Sequence, residues 1–158
     1  MLDFQKIPLT SKLAFLRLSG TGLTSIKGVS RASLLQDLHV TNNLIANLPD
    51  ELYSLTALQS LYLSYNSITG TLSRKIGQLS NLQEIYIFDN HLTGTIPTTV
   101  GSLLELKNFV VAGNFLSGEI PTEFSSMPKL EQLSLYNQHG QELITGSVPS
   151  FSQAPNLW

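Results

Sequence analysis

The sequence predicts an α/β solenoid, a horseshoe or superhelix with a parallel β-sheet on its concave face and few or short 3₁₀ or α segments on its convex face. Two observations carry this prediction. An apolar triplet of the form L-x-x-L-x-L occurs six times, at intervals of 22 to 24 residues. Within each triplet, apolar residues alternate with others, as in a short strand with one buried face. Repetition at this period is typical of stacked units that cover each other's apolar residues.

The predicted units begin at the first apolar residue of each triplet. They start at residues 13, 35, 58, 82, 106 and 130, and a seventh starts at Leu157. We therefore predict one repeat domain over residues 13–158, preceded by an N-terminal extension or partial repeat over residues 1–12. Neither end shows a polar capping repeat of the kind that shields the last apolar layer of a solenoid. We therefore expect the chain to be a segment of a longer array, or to have neighbours at its ends.

An asparagine lies three residues after the triplet in four of the units. These residues are Asn43, Asn66, Asn90 and Asn114. The first unit has Thr21 at this position, and the sixth departs from the pattern after Leu135. An amide side chain both donates and accepts hydrogen bonds, so it can satisfy backbone groups of its own turn and of the neighbouring turn. We predict a buried, structural ladder of asparagines.

The triplet and the asparagine together resemble the leucine-rich repeat, L-x-x-L-x-L-x-x-N-x-L, over about residues 13–158. A second pattern, L-x-G-x-I-P, resembles the plant-type subclass of this family and covers the C-terminal two-thirds of the chain. It reads ITGTLS at 68–73, LTGTIP at 92–97, LSGEIP at 116–121 and ITGSVP at 144–149. The subclass implies a second short strand beside the main sheet. Its glycines fit places where the backbone turns tightly or passes close to a neighbour.

The resemblance also implies a function. Plant-type arrays occur in ectodomains of receptor-like kinases, in receptor-like proteins and in inhibitors of secreted polygalacturonases, where they bind peptides or proteins without catalysis. This suggests an extracellular or cell-surface location. The chain itself has no recognisable signal peptide, no cysteine for paired caps and no N-x-S/T sequon. No apolar stretch approaches the ~18 residues of a membrane span, so we expect membrane attachment only through regions outside this chain.

Several other functions are disfavoured. A net charge of −2 without a basic cluster argues against nucleic-acid binding. The absence of cysteine excludes thiolate metal sites and cysteine nucleophiles, and His39, His91 and His139 lie too far apart in sequence to match a metal motif. Asp37 and His39 share a strand face and could pair, but no serine is placed to complete a triad. We therefore predict no metal, no cofactor and no enzyme activity.

The repeat frame identifies the residues that face the concave surface. Between the second and third apolar residues the six units read Arg17, His39, Tyr62, Tyr86, Val110 and Ser134. The next two positions add Tyr65, Phe88, Asp89 and Tyr136. Our candidate binding residues are Tyr62, Tyr65, Glu84, Tyr86, Phe88, Asp89 and Tyr136. We expect four of the aromatics to lie side by side, with Tyr62 directly beside Tyr86 and the two acids at the margin.

Two interpretations of this aromatic cluster remain open. Exposed aromatics rimmed by acids are typical of interaction hot spots. Aromatics on adjacent strands also stack and stiffen a sheet without a ligand. Six strands about 4.8 Å apart give a surface about 24 Å wide, which matches roughly seven extended residues of a peptide. The alternative function is a structural or scaffold subunit of a larger assembly.

The sixth unit contains extra residues. Leu106 and Gly118 are separated by 12 positions, whereas Leu130 and Gly146 are separated by 16. The additional residues lie within 136–143. Insertions in repeat arrays map to loops on one face, often the binding face, but loops also tolerate them at small cost.

Overall fold

The computed structural model describes residues 4–141 and 143–150. Short strands recur along this part of the chain, as the alternating triplets predict. They are β1 (Phe15–Arg17), β2 (Asp37–His39), β3 (Ser60–Tyr62), β4 (Thr69–Thr71), β5 (Glu84–Tyr86), β6 (His91–Gly94), β7 (Asn108–Val110), β8 (Phe115–Leu116), β9 (Gly118–Glu119), β10 (Gln132–Ser134) and β11 (Ile144–Thr145).

The main sheet contains one strand from each predicted unit. Its order is β1-β2-β3-β5-β7-β10, and all neighbouring strands are parallel. The middle residue of each strand, from Leu16 to Phe109, is buried, and Leu133 of the last strand is partly buried. Because side chains alternate across a strand, the flanking residues face the other, concave surface. The predicted leucine-rich repeat fold is confirmed.

Smaller sheets lie beside the main sheet. Strands β4, β6 and β8 form a three-stranded parallel sheet, and β9 pairs with β11. Each of these sheets contains a glycine of the L-x-G-x-I-P segments: Gly70 and Gly94 lie in the first, and Gly118 lies in the second. At Gly118 the backbone has φ +80°, and a Cβ would lie 2.8 Å from Thr95 Cγ2. Both the left-handed conformation and the close approach of the neighbouring unit therefore favour glycine there.

Short 3₁₀ helices lie on the side of the solenoid opposite the main sheet. They span Phe4–Lys6, Val29–Arg31, Asp50–Ser54, Arg74–Gln78, Thr98–Ser102 and Thr122–Ser126. Each buries an apolar residue, such as Ile76 or Phe124, in the common core. A Cβ on Gly101 would lie 2.5 Å from Glu123 Cβ. Glycine therefore lets consecutive helices stack closely, a role that the sequence pattern did not reveal.

The predicted asparagine ladder is present. In Asn90, Oδ1 accepts from the Ile68 amide at 3.0 Å, and Nδ2 donates to the Leu63 carbonyl at 3.1 Å and to two carbonyls of its own turn. Asn43, Asn66 and Asn114 repeat this arrangement with their neighbours. Each amide thus joins two consecutive turns.

The sixth unit keeps this ladder although its sequence departs from the pattern after Leu135. Gln138 Oε1 accepts from the Leu116 amide at 2.9 Å, and Nε2 donates to the Val111 and Leu135 carbonyls at 3.0 Å. The longer glutamine side chain reaches the same groups as asparagine. The extra residues therefore follow Gln138, and Ile144 pairs again with Gly118. Leu157, where a seventh unit is predicted to start, lies outside the described residues.

Candidate binding surface

Three aromatic rings form a central stack on the concave face. The strand register places His39, Tyr62 and Tyr86 at equivalent positions of β2, β3 and β5. The rings of Tyr62 and Tyr86 are stacked at 4.8 Å with an interplanar angle of 12°, and the His39 ring lies 3.8 Å from that of Tyr62. The predicted contact between Tyr62 and Tyr86 is confirmed. Tyr62 lies between the other two rings, so both of its faces are covered.

Glu84 lies within this group, whereas we expected it at the margin. Tyr62 Oη donates a hydrogen bond to Glu84 Oε2. Burial raises the pKa of the Tyr62 hydroxyl, and the bond to the Glu84 carboxylate raises it further. Burial, followed by the charge of Glu84, also raises the pKa of Tyr86. Both phenols are therefore neutral hydrogen-bonding groups at physiological pH.

Arg17, Asp37 and His39 form a charge-compensated triad at one end of the sheet. Arg17 Nη2 donates to Asp37 Oδ2 at 3.2 Å, and His39 Nε2 lies 3.3 Å from Asp37 Oδ1. The hydrogen bond to Asp37 raises the pKa of Arg17. Burial lowers the pKa of His39, although the charge of Asp37 opposes this shift. The predicted pairing of Asp37 with His39 is present, with the arginine as a third member.

A second aromatic group, which we call the turn pair, comprises Tyr65 and Phe88. The rings meet edge to face, with centroids 5.0 Å apart and an interplanar angle of 82°. Tyr65 is 50% exposed. The four aromatics predicted to lie side by side are thus divided between the central stack and the turn pair. The hydroxyl of Ser64, the residue before Tyr65, is buried, and it has no hydrogen-bond partner within the described residues.

The backbone of Tyr65 is left-handed. The residue just before the ladder position, which is Thr21 in the first unit and an amide in the others, has positive φ in all six units: Gly20 69°, Asn42 54°, Tyr65 57°, Asp89 53°, Gly113 62° and Asn137 54°. Glycine, asparagine and aspartate tolerate this conformation, whereas a bulky side chain there is strained. Tyr65 is therefore the exception in this row. The sequence contained the signal, because one aromatic occupies a column of turn residues.

The carboxylate of Asp89 lies over the backbone of the next unit. A Cβ at residue 113 would collide with Asp89 Oδ1, so Gly113 makes room for this carboxylate. Tyr136 is 67% exposed. It follows β10, whereas Phe88 follows β5, and β7 lies between these two strands in the main sheet. The small, buried Ala112 occupies the equivalent position between them. The structure therefore separates Tyr136 from the other candidate residues.

A lateral row of rings follows the ladder amides. The rings of His91 and Phe115 are stacked at 5.9 Å, and Phe115 lies 5.5 Å from His139. Their equal spacing of 24 residues could have identified this row from the sequence. In the described part of the chain, no three histidine, aspartate or glutamate side chains come together as a metal site requires. Over the same residues, no helix is long and apolar enough to cross a membrane.

Comparisons with known proteins agree with this architecture. The leucine rich repeat family profile matches residues 33–92. Comparison with curated protein sequences finds no match. Among solved structures, PEPR1–AtPEP1 is similar at 30% identity and a TM-score of 0.72, over 78% of this chain and 17% of that one.

Two further structures show similar agreement. The ectodomain of the Arabidopsis receptor kinase HAESA, in complex with an IDA peptide hormone ligand, is 30% identical with a TM-score of 0.70, over 84% of this chain and 21% of that one. A leucine-rich repeat protein of Leptospira interrogans is 31% identical with a TM-score of 0.74, over 81% and 32%. The chain thus spans only about a fifth of the matched PEPR1 and HAESA chains. Its repeats, its ladder and these similarities show that it is a leucine-rich repeat protein resembling plant receptor ectodomains.

Proposed function

We propose that this chain is a non-catalytic recognition module that binds a peptide, or an exposed segment of a protein, across the concave sheet. The observation that carries the proposal is the turn pair, in which an aromatic side chain is held half-exposed at a strained backbone position. Strain of this kind persists where the surrounding structure enforces it and is common at binding sites. The candidate contacts are Tyr62, Tyr65, Glu84, Tyr86, Phe88, Asp89 and Tyr136.

The position of the aromatics supports binding. The interior is filled by residues such as Leu61 and Ile85, so the core does not require rings on the opposite face. Exposed aromatics contribute a large contact area at low entropic cost, and they dominate many interfaces. Tyr62 offers its ring edge, because its faces are covered by His39 and Tyr86, and Tyr86 offers its ring edge and its hydroxyl group. These groups suit the polar backbone and side chains of a peptide better than a planar ligand that must stack on a ring face.

The size of the surface also suits a peptide. The six-stranded main sheet is about 24 Å wide, at about 4.8 Å per strand spacing, and an extended segment of roughly seven residues spans it. The HAESA structure contains a peptide hormone ligand, and RGFR1 is described as a peptide hormone receptor. By this likeness, we propose that the array belongs to the ectodomain of a receptor-like protein or receptor-like kinase, and that units with L-x-G-x-I-P segments are of the plant type.

A structural role is the second candidate. The central stack favours it, because the Tyr62 hydroxyl already has a partner in Glu84 and the tyrosine rings already contact each other. Such a stack stiffens adjacent strands without any ligand. In that case, the chain would be a scaffold subunit, and its aromatic residues would contribute to stability alone.

Peptide selection with matched variants separates the two functions. The 158-residue chain would be used to select binders from a phage-displayed library of random heptapeptides. Affinities would then be measured for wild type and for the double variant Tyr86→Ala/Phe88→Ala. A binding surface predicts that the affinity of the folded double variant falls by at least about 2 kcal/mol, or roughly thirtyfold in Kd.

The control is Leu104→Ala, which truncates an exposed apolar residue outside the concave sheet and should leave the affinity unchanged. Unchanged affinity of the double variant together with a lower unfolding midpoint would instead support the structural role. The reading frame on either side tests the receptor assignment, which predicts a signal peptide upstream and a membrane span downstream.

A further inference from the structure

Resting on the proposed peptide-binding function, we infer the chemistry of the partner: the bound segment is basic, and it places a lysine or arginine beside an apolar residue so that the cation meets Glu84 or Asp89. The inference follows from how charge is distributed over the concave face. It identifies a class of partner that the fold and its relatives leave open.

Positive charge is almost absent from the concave face. In each unit, four positions face it: the first and third residues of the main strand and the two residues before the ladder amide. Over the six units these positions contain the charged residues Arg17, Asp37, Glu84 and Asp89. The other lysines and arginines of the chain lie outside these positions. Lys75 and Lys129, for example, pair with Asp50 and Glu105 away from the sheet.

The charges at one end of the face cancel. Arg17 donates to both oxygens of Asp37, through Nε at 3.4 Å and Nη2 at 3.2 Å. Burial lowers the pKa of the adjacent His39, which keeps it neutral at physiological pH. Units one and two therefore add almost no net charge to the surface. The excess charge of the concave face is the negative charge of Glu84 and Asp89.

A hydrogen bond orients Glu84, and Asp89 lies against the backbone of the next unit. Glu84 accepts the Tyr62 hydroxyl hydrogen, which orients it and leaves further lone pairs free. Asp89 lies over Gly113, in space that any other residue's Cβ would fill. Neither carboxylate has an ion pair with a lysine or arginine of residues 4–141 and 143–150. A cation from a partner would therefore complete both sites.

The two acids flank the aromatic residues of unit four. Glu84 opens β5, Tyr86 ends it, and Phe88 and Asp89 follow. Glu84 and Phe88 are four positions apart, which corresponds to about 13 Å of extended chain. An apolar side chain that contacts Tyr86 or Phe88 thus lies within reach of the flexible stem of a neighbouring lysine or arginine. The surface favours a segment in which basic and apolar residues adjoin.

The test compares selections on charge-matched variants. A phage library of random heptapeptides would be selected on the wild-type chain, on Glu84→Gln/Asp89→Asn, and on Asp50→Asn/Glu105→Gln. Glutamine can still accept the Tyr62 hydrogen bond, and asparagine tolerates the left-handed backbone of residue 89. The control variant Asp50→Asn/Glu105→Gln has the same change in net charge. It removes two acids away from the concave face, whose exposed ion pairs contribute little to stability.

We expect peptides selected on the wild-type chain and on Asp50→Asn/Glu105→Gln to be enriched in lysine and arginine about twofold or more. Peptides selected on Glu84→Gln/Asp89→Asn should lack this enrichment. A basic peptide from the wild-type selection should bind Glu84→Gln/Asp89→Asn about tenfold more weakly at about 50 mM salt, and the difference should shrink at about 300 mM. Peptides that depend on Tyr86 and Phe88 but show no basic bias would overturn this inference and leave the proposed function intact. A library that yields no binder would overturn both.

Discussion

Replacing Tyr65 by asparagine tests whether this residue is held under strain. Asparagine occupies the equivalent, left-handed position in the second and sixth units, at Asn42 and Asn137. The substitution therefore keeps a residue type that this turn accepts. It removes the aromatic ring and its edge-to-face contact with Phe88, 5.0 Å between centroids.

The expected change in stability is small, because two effects offset each other. Relief of the left-handed conformation contributes about 1–2 kcal/mol. Loss of the aromatic contact costs about 0.5–1.5 kcal/mol, and exposure of the buried half of the ring costs about 1 kcal/mol more. The free energy of unfolding of Tyr65→Asn should therefore fall by less than about 1 kcal/mol. Affinity for a selected heptapeptide should fall about thirtyfold if Tyr65 anchors the ligand.

The matched control is Tyr86→Asn. Tyr86 ends an extended strand, so the same substitution removes a ring stacked at 4.8 Å without relieving any strain. We expect it to destabilise the chain by about 1–2 kcal/mol. The stability of both variants is measured by urea unfolding, monitored by circular dichroism. Their midpoints are compared where the slope m, the dependence of the unfolding free energy on urea concentration, is the same. If Tyr65→Asn loses as much stability as Tyr86→Asn, no strain is stored at Tyr65 and the argument from the turn pair fails.

Three further predictions concern the ladder, the stacked 3₁₀ helices and pH. Asn90→Asp replaces the amide donor to the Leu63 carbonyl by a buried charge, and it should lower the free energy of unfolding by several kcal/mol; an unchanged melting temperature would contradict the ladder. Gly101→Ala places a Cβ 2.5 Å from Glu123 Cβ and should cost about 1–3 kcal/mol, whereas Ser102→Ala on the exposed side should cost almost nothing in the same urea titration. Because burial lowers the folded-state pKa of His39 below its ordinary value of 6.5, the unfolded chain binds the proton more readily, so stability is highest above about pH 6.5 and falls as the pH drops through the folded-state pKa. His39→Gln should remove this part of the pH dependence. If the urea midpoint of the variant falls as steeply at low pH as that of wild type, the prediction is refuted.

The accuracy of the sequence-based predictions followed the regularity of the pattern. The row that contains Tyr62 and Tyr86 was predictable, because a strand alternates with period two and each unit repeats the last. Asn90 was predictable as a ladder residue for the same reason. Gln138 was not predicted to join the ladder, because the pattern requires asparagine there, whereas the backbone groups accept any amide that reaches them.

The site was only partly predictable. Its residues could be assigned to a face, but their partners depend on side-chain orientations that the repeat does not specify. Glu84 was expected at the margin, yet the hydroxyl of Tyr62 in the preceding unit binds it. The aromatics were expected as one cluster, yet the left-handed turn at Tyr65 directs its ring toward Phe88 and separates this pair from the central stack.

The amino-acid sequence by itself determines the solenoid, the residues that fill it and the face that remains free, because apolar period and strand alternation are local properties repeated along the chain. The tertiary structure alone decides which side chains of neighbouring units meet. Contacts such as Gly101 with Glu123, Gln138 with Leu116 and Asp89 with Gly113 join residues 22 to 24 positions apart. Their geometry depends on how closely two turns of backbone approach, and stacking sets that distance.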